Sequence, residues 1–185
     1  DNSRSQAGIA GLRQHTRTHR GSLGPIPKEE FSWENIEKKI RAHPFAKDGK
    51  TKPRILTITQ STYDGVLYNV DTIKDLLGTH VDTLHFDEAW LPHAAFHDFY
   101  QGMHAIGRDR PRSKQALIFA TQSTHKLLAG LSQASQILVQ DSETRQLDKH
   151  RFNEAYLMHK STSPQYAIIE SWDVAAARRE PPGGR

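Results

Sequence analysis

The 185-residue chain contains no cysteine, which removes disulfides, thiolate metal sites and cysteine nucleophiles from consideration and suits a reducing compartment. It also lacks any run near the roughly 18 consecutive apolar residues of a membrane-spanning helix. The N-terminus has no apolar core of a secretory leader. A cytoplasmic protein without a membrane partner is therefore expected. Charge of one sign is scarce as well, since the formal net charge is only +4. Arg4, Arg13, Arg17 and Arg20 at one end, and Arg178, Arg179 and Arg185 at the other, hold much of it. Without stacking aromatics, such arginines offer nucleic acid only non-specific attraction, so the arm reads as a solvated tail and no nucleic-acid partner is expected.

What is present fits one domain with a real core: 36% of residues are hydrophobic and 25% charged. Residues 1 to about 27 show no sustained period and read as irregular structure. A helix follows, with Ser32 as its cap, Trp33, Ile36 and Ile40 on one face, and a stop at His43-Pro44. The polar stretch from Lys47 to Pro53 is a connector. Arg54–Thr59 reads as a strand, and Val70, Ile73, Leu76 and Leu77 as a helix ended by Gly78. Thr83–Phe86, Leu117–Ala120, Gln136–Val139 and Tyr166–Ile169 are four more strand candidates. Phe152, Ala155, Tyr156 and His159 share a helical face, and Gly107–Lys114 reads as an exposed loop. Alternation of strands and helices argues for an α/β fold with an open, mostly parallel sheet and helices on both faces. In such sheets the chemistry gathers where strands end and loops begin.

Two groups stand at such places: Asp87 directly after one strand and Lys126 a few residues after another. A lysine amine condenses with an aldehyde to a Schiff base, and a buried carboxylate keeps a pyridine nitrogen protonated, which makes the ring an electron sink. Either residue alone is more often a surface charge or a cap. Their neighbours sharpen the reading, because Ser123, Thr124 and His125 supply hydroxyl and imidazole donors to a phosphate just before Lys126.

Several segments together resemble the major domain of the bacterial Orn/Lys/Arg decarboxylases. They are Phe86-Asp-Glu-Ala-Trp90, Thr121-Gln-Ser-Thr-His-Lys126-Leu-Leu, Leu131-Ser-Gln-Ala-Ser135, Phe152-Asn-Glu-Ala-Tyr156, Ser61-Thr-Tyr-Asp-Gly65 and Ser161-Thr-Ser-Pro164. The resemblance runs in order from about Gly21 to Ala177. It implies part of the aminotransferase-like, fold type I domain that binds pyridoxal 5'-phosphate. It further implies Lys126 as the Schiff-base lysine, Asp87 as the partner of the ring nitrogen, and Ala89 against one ring face. Ser123 and His125 become phosphate ligands, Trp90 and Thr62 lie near the cofactor, and Ser163 approaches the phosphate of a neighbouring subunit. The implied reaction removes the α-carboxylate of a basic amino acid, lysine, arginine or ornithine, as carbon dioxide. The implied assembly is a dimer-based homo-oligomer.

The resemblance divides the chain into an irregular basic segment 1–20, a partial cofactor-binding domain 21–177 and a tail 178–185 outside the family pattern. The family's phosphate-binding turn and ring-stacking histidine precede the matched region, and neither His15 nor His19 takes that role. An inactive fragment is the expectation, with a non-catalytic chain that pairs with a full-length decarboxylase as the alternative. His93 and His97 have the spacing of two ligands on one helical turn, and His15 with His19 resembles half of a zinc finger. With no Glu in the HExxH position and no cysteine, no metal is expected.

Overall fold

The computed structural model describes residues 26–46, 53–63 and 65–178. The basic segment 1–20 with His15 and His19, residues 47–52 of the connector and residues 179–185 of the tail lie outside the described residues.

Helix α1, Trp33–Ala42, begins where the Ser32 hydroxyl oxygen accepts the Asn35 N–H at 3.3 Å, and it buries Ile36. The Trp33 ring stacks on His80 with centroids 4.6 Å apart. His43 takes an extended conformation ahead of Pro44 and stops the helix. Strand β1 is Ile55–Thr59. Helix α2, Val70–Leu77, is capped by Asn69, whose side-chain oxygen accepts the Thr72 N–H at 2.9 Å. Its Val70, Ile73 and Leu77 turn inward together. A Cβ at Gly78 would collide with the Lys74 carbonyl and the Ser113 hydroxyl, so the helix exit admits no side chain there.

Strands β2, Thr83–Asp87, and β3, Leu117–Gln122, continue a parallel sheet from β1, and β4, Gln136–Gln140, adds an antiparallel edge. The spatial order is β1-β2-β3-β4. Register aligns Leu56 with Leu84 and Ile118, and Ile58 with Phe86 and Ala120. Those residues form one core with Phe31, Ile36, Val70, Ile73 and Leu77, so α1 and α2 cover that face. Each fully buried Leu84, Phe86 or Ile118 contributes about 1.5–3 kcal/mol. The alternate residues, Thr57, His85 and Phe119, then Thr59, Asp87 and Thr121, face the other side. There, Phe152 lies with its ring 5.9 Å from that of Phe119.

Four expectations need correction or refinement. Tyr166–Ile169 is not a strand; it opens helix α5, Tyr166–Ala177, because the aliphatic quartet continues into Glu170-Ser-Trp-Asp-Val-Ala-Ala-Ala177, whose alanines favour a helix. The edge strand β4 runs antiparallel because the link from β3 holds only a single helical turn, α3, Thr124–Leu127. A parallel return would need a connection that crosses the sheet, usually as a full helix. Helix α4, Lys149–His159, forms as expected, capped by Asp148, but among Phe152, Ala155, Tyr156 and His159 only Phe152 is half-buried. The Gly107–Lys114 loop is largely exposed, yet Arg110 pins it to Asp71 at 3.2 Å and Ser113 is buried.

Candidate active site

Parallel register alone gathers most of the chemistry at one edge. Thr59, Asp87 and Thr121 pair across β1, β2 and β3, so the segments that follow them leave the sheet side by side. The segment after β1 carries Thr62, the one after β2 carries Ala89 and Trp90, and the one after β3 carries Ser123, His125 and Lys126. The topology therefore brings seven residues, Asp87 among them, to one edge of the sheet. Ser163 is different: it sits exposed in the turn between α4 and α5, with its N–H donating to the Ser161 hydroxyl at 3.1 Å.

Asp87 ends β2 half-buried on the face away from α1 and α2. Its Oδ1 accepts the Ala89 N–H at 3.1 Å, which fixes the carboxylate to the turn it introduces. Two residues earlier on the same face, the His85 ring spans its neighbours, with Nδ1 3.3 Å from Thr57 Oγ1 and Nε2 3.0 Å from Thr121 Oγ1. Burial holds the His85 pKa below its ordinary value, against the opposing charge of Asp87.

The third segment starts where β3 gives way to α3. The Lys126 N–H donates to the Ser123 carbonyl at 3.1 Å, closing a tight turn. His125 is oriented by the chain ahead of it: Nδ1 lies 2.7 Å from the Ala134 carbonyl oxygen. A carbonyl only accepts, so Nδ1 carries the proton, and donation to a phosphate from Nε2 requires the doubly protonated ring. Between those partners the backbone turns through Ala129 at φ 60° and Gln133 at φ 76°, which returns the chain to β4. The Lys126 ammonium lies 4.9 Å from the centroid of the Trp90 ring, a cation–π contact. Trp90 also meets Tyr63, the residue after Thr62, edge to face at 5.5 Å. All three strand-end segments are thus in contact through Tyr63, Trp90 and Lys126.

Several polar residues at this edge were not singled out in the sequence. Glu88, Gln60 and Gln122 are buried on the opposite side from Asp87. Gln60 donates to the carbonyls of Tyr68 and Met103, the latter at 2.8 Å. Strand parity is the one signal that could have separated Glu88 from Asp87. An open cavity of about 440 Å³ lies beside the turn, lined by Phe96, Leu127, Leu128, Ala129, Ala175 and Arg178, and its lining includes neither Asp87 nor Lys126. His93 and His97 do not share an α-helical turn; a short 3-10 helix, Ala94–Phe96, separates them, and His97 Nδ1 accepts the Phe99 N–H at 3.1 Å. Among the described residues no group of three or more His, Asp or Glu side chains is arranged to hold a metal ion.

An open, mostly parallel α/β sheet with an acid and an amine on adjacent strand-end segments defines a class of proteins whose ligand lies outside the carboxyl ends of the strands. Within that class the comparison is specific. Residues 12–185 match the major domain of Orn/Lys/Arg decarboxylases, and the chain belongs to that family. It is 54% identical over 169 residues to lysine decarboxylase LdcA of Pseudomonas aeruginosa, an alignment covering 91% of this chain and 22% of that protein. The biodegradative arginine decarboxylase of Escherichia coli is 44% identical over 163 residues, which cover 88% of this chain and 22% of that protein. The solved structure of lysine decarboxylase A from P. aeruginosa superposes with a TM-score of 0.77 over 89% of this chain and 22% of that one. The chain thus spans about a fifth of the length of these relatives. Among the described residues no helix is long and apolar enough to cross a membrane.

Proposed function

We propose that this chain supplies the pyridoxal-phosphate lysine and the ring-nitrogen carboxylate of a decarboxylase acting on a basic amino acid. The observation that carries the reading is the convergence of Asp87, Trp90 and Lys126, with the Lys126 amine held 4.9 Å over the ring of a residue three positions beyond Asp87. The donor set fits the cofactor: a primary amine for the aldehyde, a carboxylate for the pyridine nitrogen, and the hydroxyl and imidazole of Ser123 and His125 for the phosphate. When bound, pyridoxal phosphate supplies an electron sink for the pair left behind as the α-carboxylate departs as carbon dioxide.

The chain's own residues then have separate tasks. Lys126 would hold the cofactor through its amine and give up that place to the amine of the substrate. Asp87 holds a proton on the ring nitrogen, and its bond from the Ala89 N–H keeps that carboxylate aimed. Ala89, small enough to admit a ring face, and Trp90 and Thr62 shape the pocket. Ser163 serves the phosphate of a neighbouring subunit in a dimer-based assembly. The fold, on this reading, is part of a fold type I cofactor domain that includes residues 21–177, and the family match also takes in 12–20 and 178–185. Lysine, arginine and ornithine are all candidate substrates.

The test is chemical trapping. The chain is incubated with pyridoxal phosphate, reduced with borohydride and digested, and the modified peptide is located by mass spectrometry. A cofactor adduct on Lys126, lost outright in Lys126→Ala, supports the assignment. A reducible adduct that persists in Lys126→Ala at another lysine would refute it. Carbon dioxide release from the three amino acids, assayed separately, is expected to be absent for the chain alone.

A further inference from the structure

Asp87 and Glu88 are consecutive acids, and strand parity sends them to opposite faces of the sheet. Glu88 has no exposed surface. One carboxylate oxygen accepts the Ala105 N–H at 2.5 Å and the other accepts the Gln122 side-chain amide at 2.8 Å. Gln122 in turn accepts, through Oε1, the side-chain amide of Gln136 at 2.7 Å. The main chain of Glu88 is equally committed, its N–H donating to the Thr121 carbonyl at 2.9 Å and its carbonyl accepting the Leu91 N–H at 2.8 Å. One residue thereby bridges β2, β3, the turn that bears Trp90 and the loop at Ala105.

A buried carboxylate is expensive unless it is fully bonded, and an apolar residue of similar size is often no less stable. Burial accordingly pushes the Glu88 pKa up, while the Gln122 amide, the Ala105 N–H and the charge of Lys74 act the other way. Lys74 adds a second fastening to the same loop, since its ammonium donates to the Ala105 carbonyl at 2.6 Å. The geometric consequence lies at Gln122. It is the last residue of β3, directly before the Ser123–Lys126 turn, so the Glu88–Gln122 bond joins the end of the Asp87 strand to the start of the Lys126 turn.

We propose that Glu88 is a positioning residue for the site: bonded to Ala105 and Gln122, its carboxylate locks Asp87 and Trp90 in register with the turn that carries Ser123, His125 and Lys126. The functional part of this inference rests on the cofactor reading above. Directionality makes it testable. Both Glu88 oxygens face donors, so an amide at position 88 must set an N–H against another N–H as long as Gln122 keeps its bond to Gln136. Exchanging the two groups, Glu88→Gln with Gln122→Glu, restores every bond: the amide at 88 accepts from Ala105 and donates to the carboxylate at 122, which still accepts from Gln136.

The experiment compares the full chain, E88Q and E88Q/Q122E by amide hydrogen exchange and by borohydride-trapped pyridoxal phosphate at Lys126. In E88Q, exchange should rise about tenfold at residues 103–107 and 121–127, the size expected for one lost buried hydrogen bond, and the Lys126 adduct should fall. In E88Q/Q122E both should return to within about threefold of the parent. Parental behaviour of E88Q in both readouts would overturn the proposal. So would a double variant as impaired as the single one, or a rise in exchange that extends equally through β1, which marks general destabilisation. If E88Q does not fold, a double variant that folds and traps cofactor supports the proposal, and one that also fails to fold sinks it. Should the parent itself form no Lys126 adduct, the cofactor reading falls, while the confined change in exchange still decides whether Glu88 locks the two segments.

Discussion

At the carboxyl end of β2 the two faces of one sheet treat polar groups in opposite ways. Toward α1 and α2, Gln60, Lys74, Glu88 and Gln122 are at most 5% exposed. Their bonds go to fixed carbonyls, amides and one another. Away from those helices, His85, Asp87, Thr121, Ser123, His125 and Lys126 are only half-buried. Their contacts are fewer, and one of them, Lys126 over Trp90, is of the kind a ligand can displace. A group on the closed face influences chemistry only by holding other parts in place. A group on the open face remains available to a ligand.

The difference predicts which substitutions damage rate and which damage stability. Asp87→Asn keeps an oxygen to accept the Ala89 N–H but removes the charge, so the chain should lose no more than about 0.5 kcal/mol of stability. In the protein that carries this segment, decarboxylation by the same variant should fall about 10²–10³-fold with cofactor still bound. Near-normal turnover would break the comparison, because it would make Asp87 a mere turn residue. Glu88→Ala reverses the pattern. It strips the acceptor from the Ala105 and Gln122 donors, and urea unfolding should register a loss of about 3 kcal/mol. A loss as small as that of Asp87→Asn would mean the closed face is not the structural one.

A third measurement sharpens the contrast through pH. Burial lowers the Lys74 pKa to about 8 from 10.5. Between those values the unfolded chain holds a proton that the folded chain has released, so stability rises with pH across the window. The gain is at most about 3 kcal/mol, and below about pH 8 the burial penalty is fully present. Unfolding free energies near pH 7 and pH 10 should show the rise in the parent and not in Lys74→Met. A parent whose stability is flat across this range would indicate that the Ala105, Pro111 and Gln140 acceptors hold the ammonium charged throughout.

The elements that sequence located well are those whose burial is periodic. Ser32, Ile36 and the stop at His43-Pro44 mark α1, and Val70, Ile73 and Leu77 mark α2, because capping and one-sided packing act over a few residues. The strand-end places of Asp87 and Lys126 were legible for the same reason: each follows a short apolar run, and parallel pairing does the rest. Tyr166–Ile169 fits a strand or a helix equally as a short apolar run, and the alanines that decide, Ala175–Ala177, lie beyond it. Glu88, Lys74 and Gln122 were invisible for a different reason. Their partners stand 17, 31 and 34 positions away, and a charged letter gives no hint of burial until the fold supplies a backbone amide or carbonyl to meet it.

The alternation along Thr83–Asp87 and on into Glu88 also limits how this stretch of sequence can change length. Substitutions leave the odd and even positions where they are. An inserted or deleted residue between Leu84 and Phe86 would shift the parity, carry the Asp87 carboxylate toward Ala105 and expose Glu88 on the ligand side. Changes of length should therefore be tolerated in the loops before Thr83 and after Trp90 and not within β2, where a codon-sized indel moves both acids into new surroundings without altering either one.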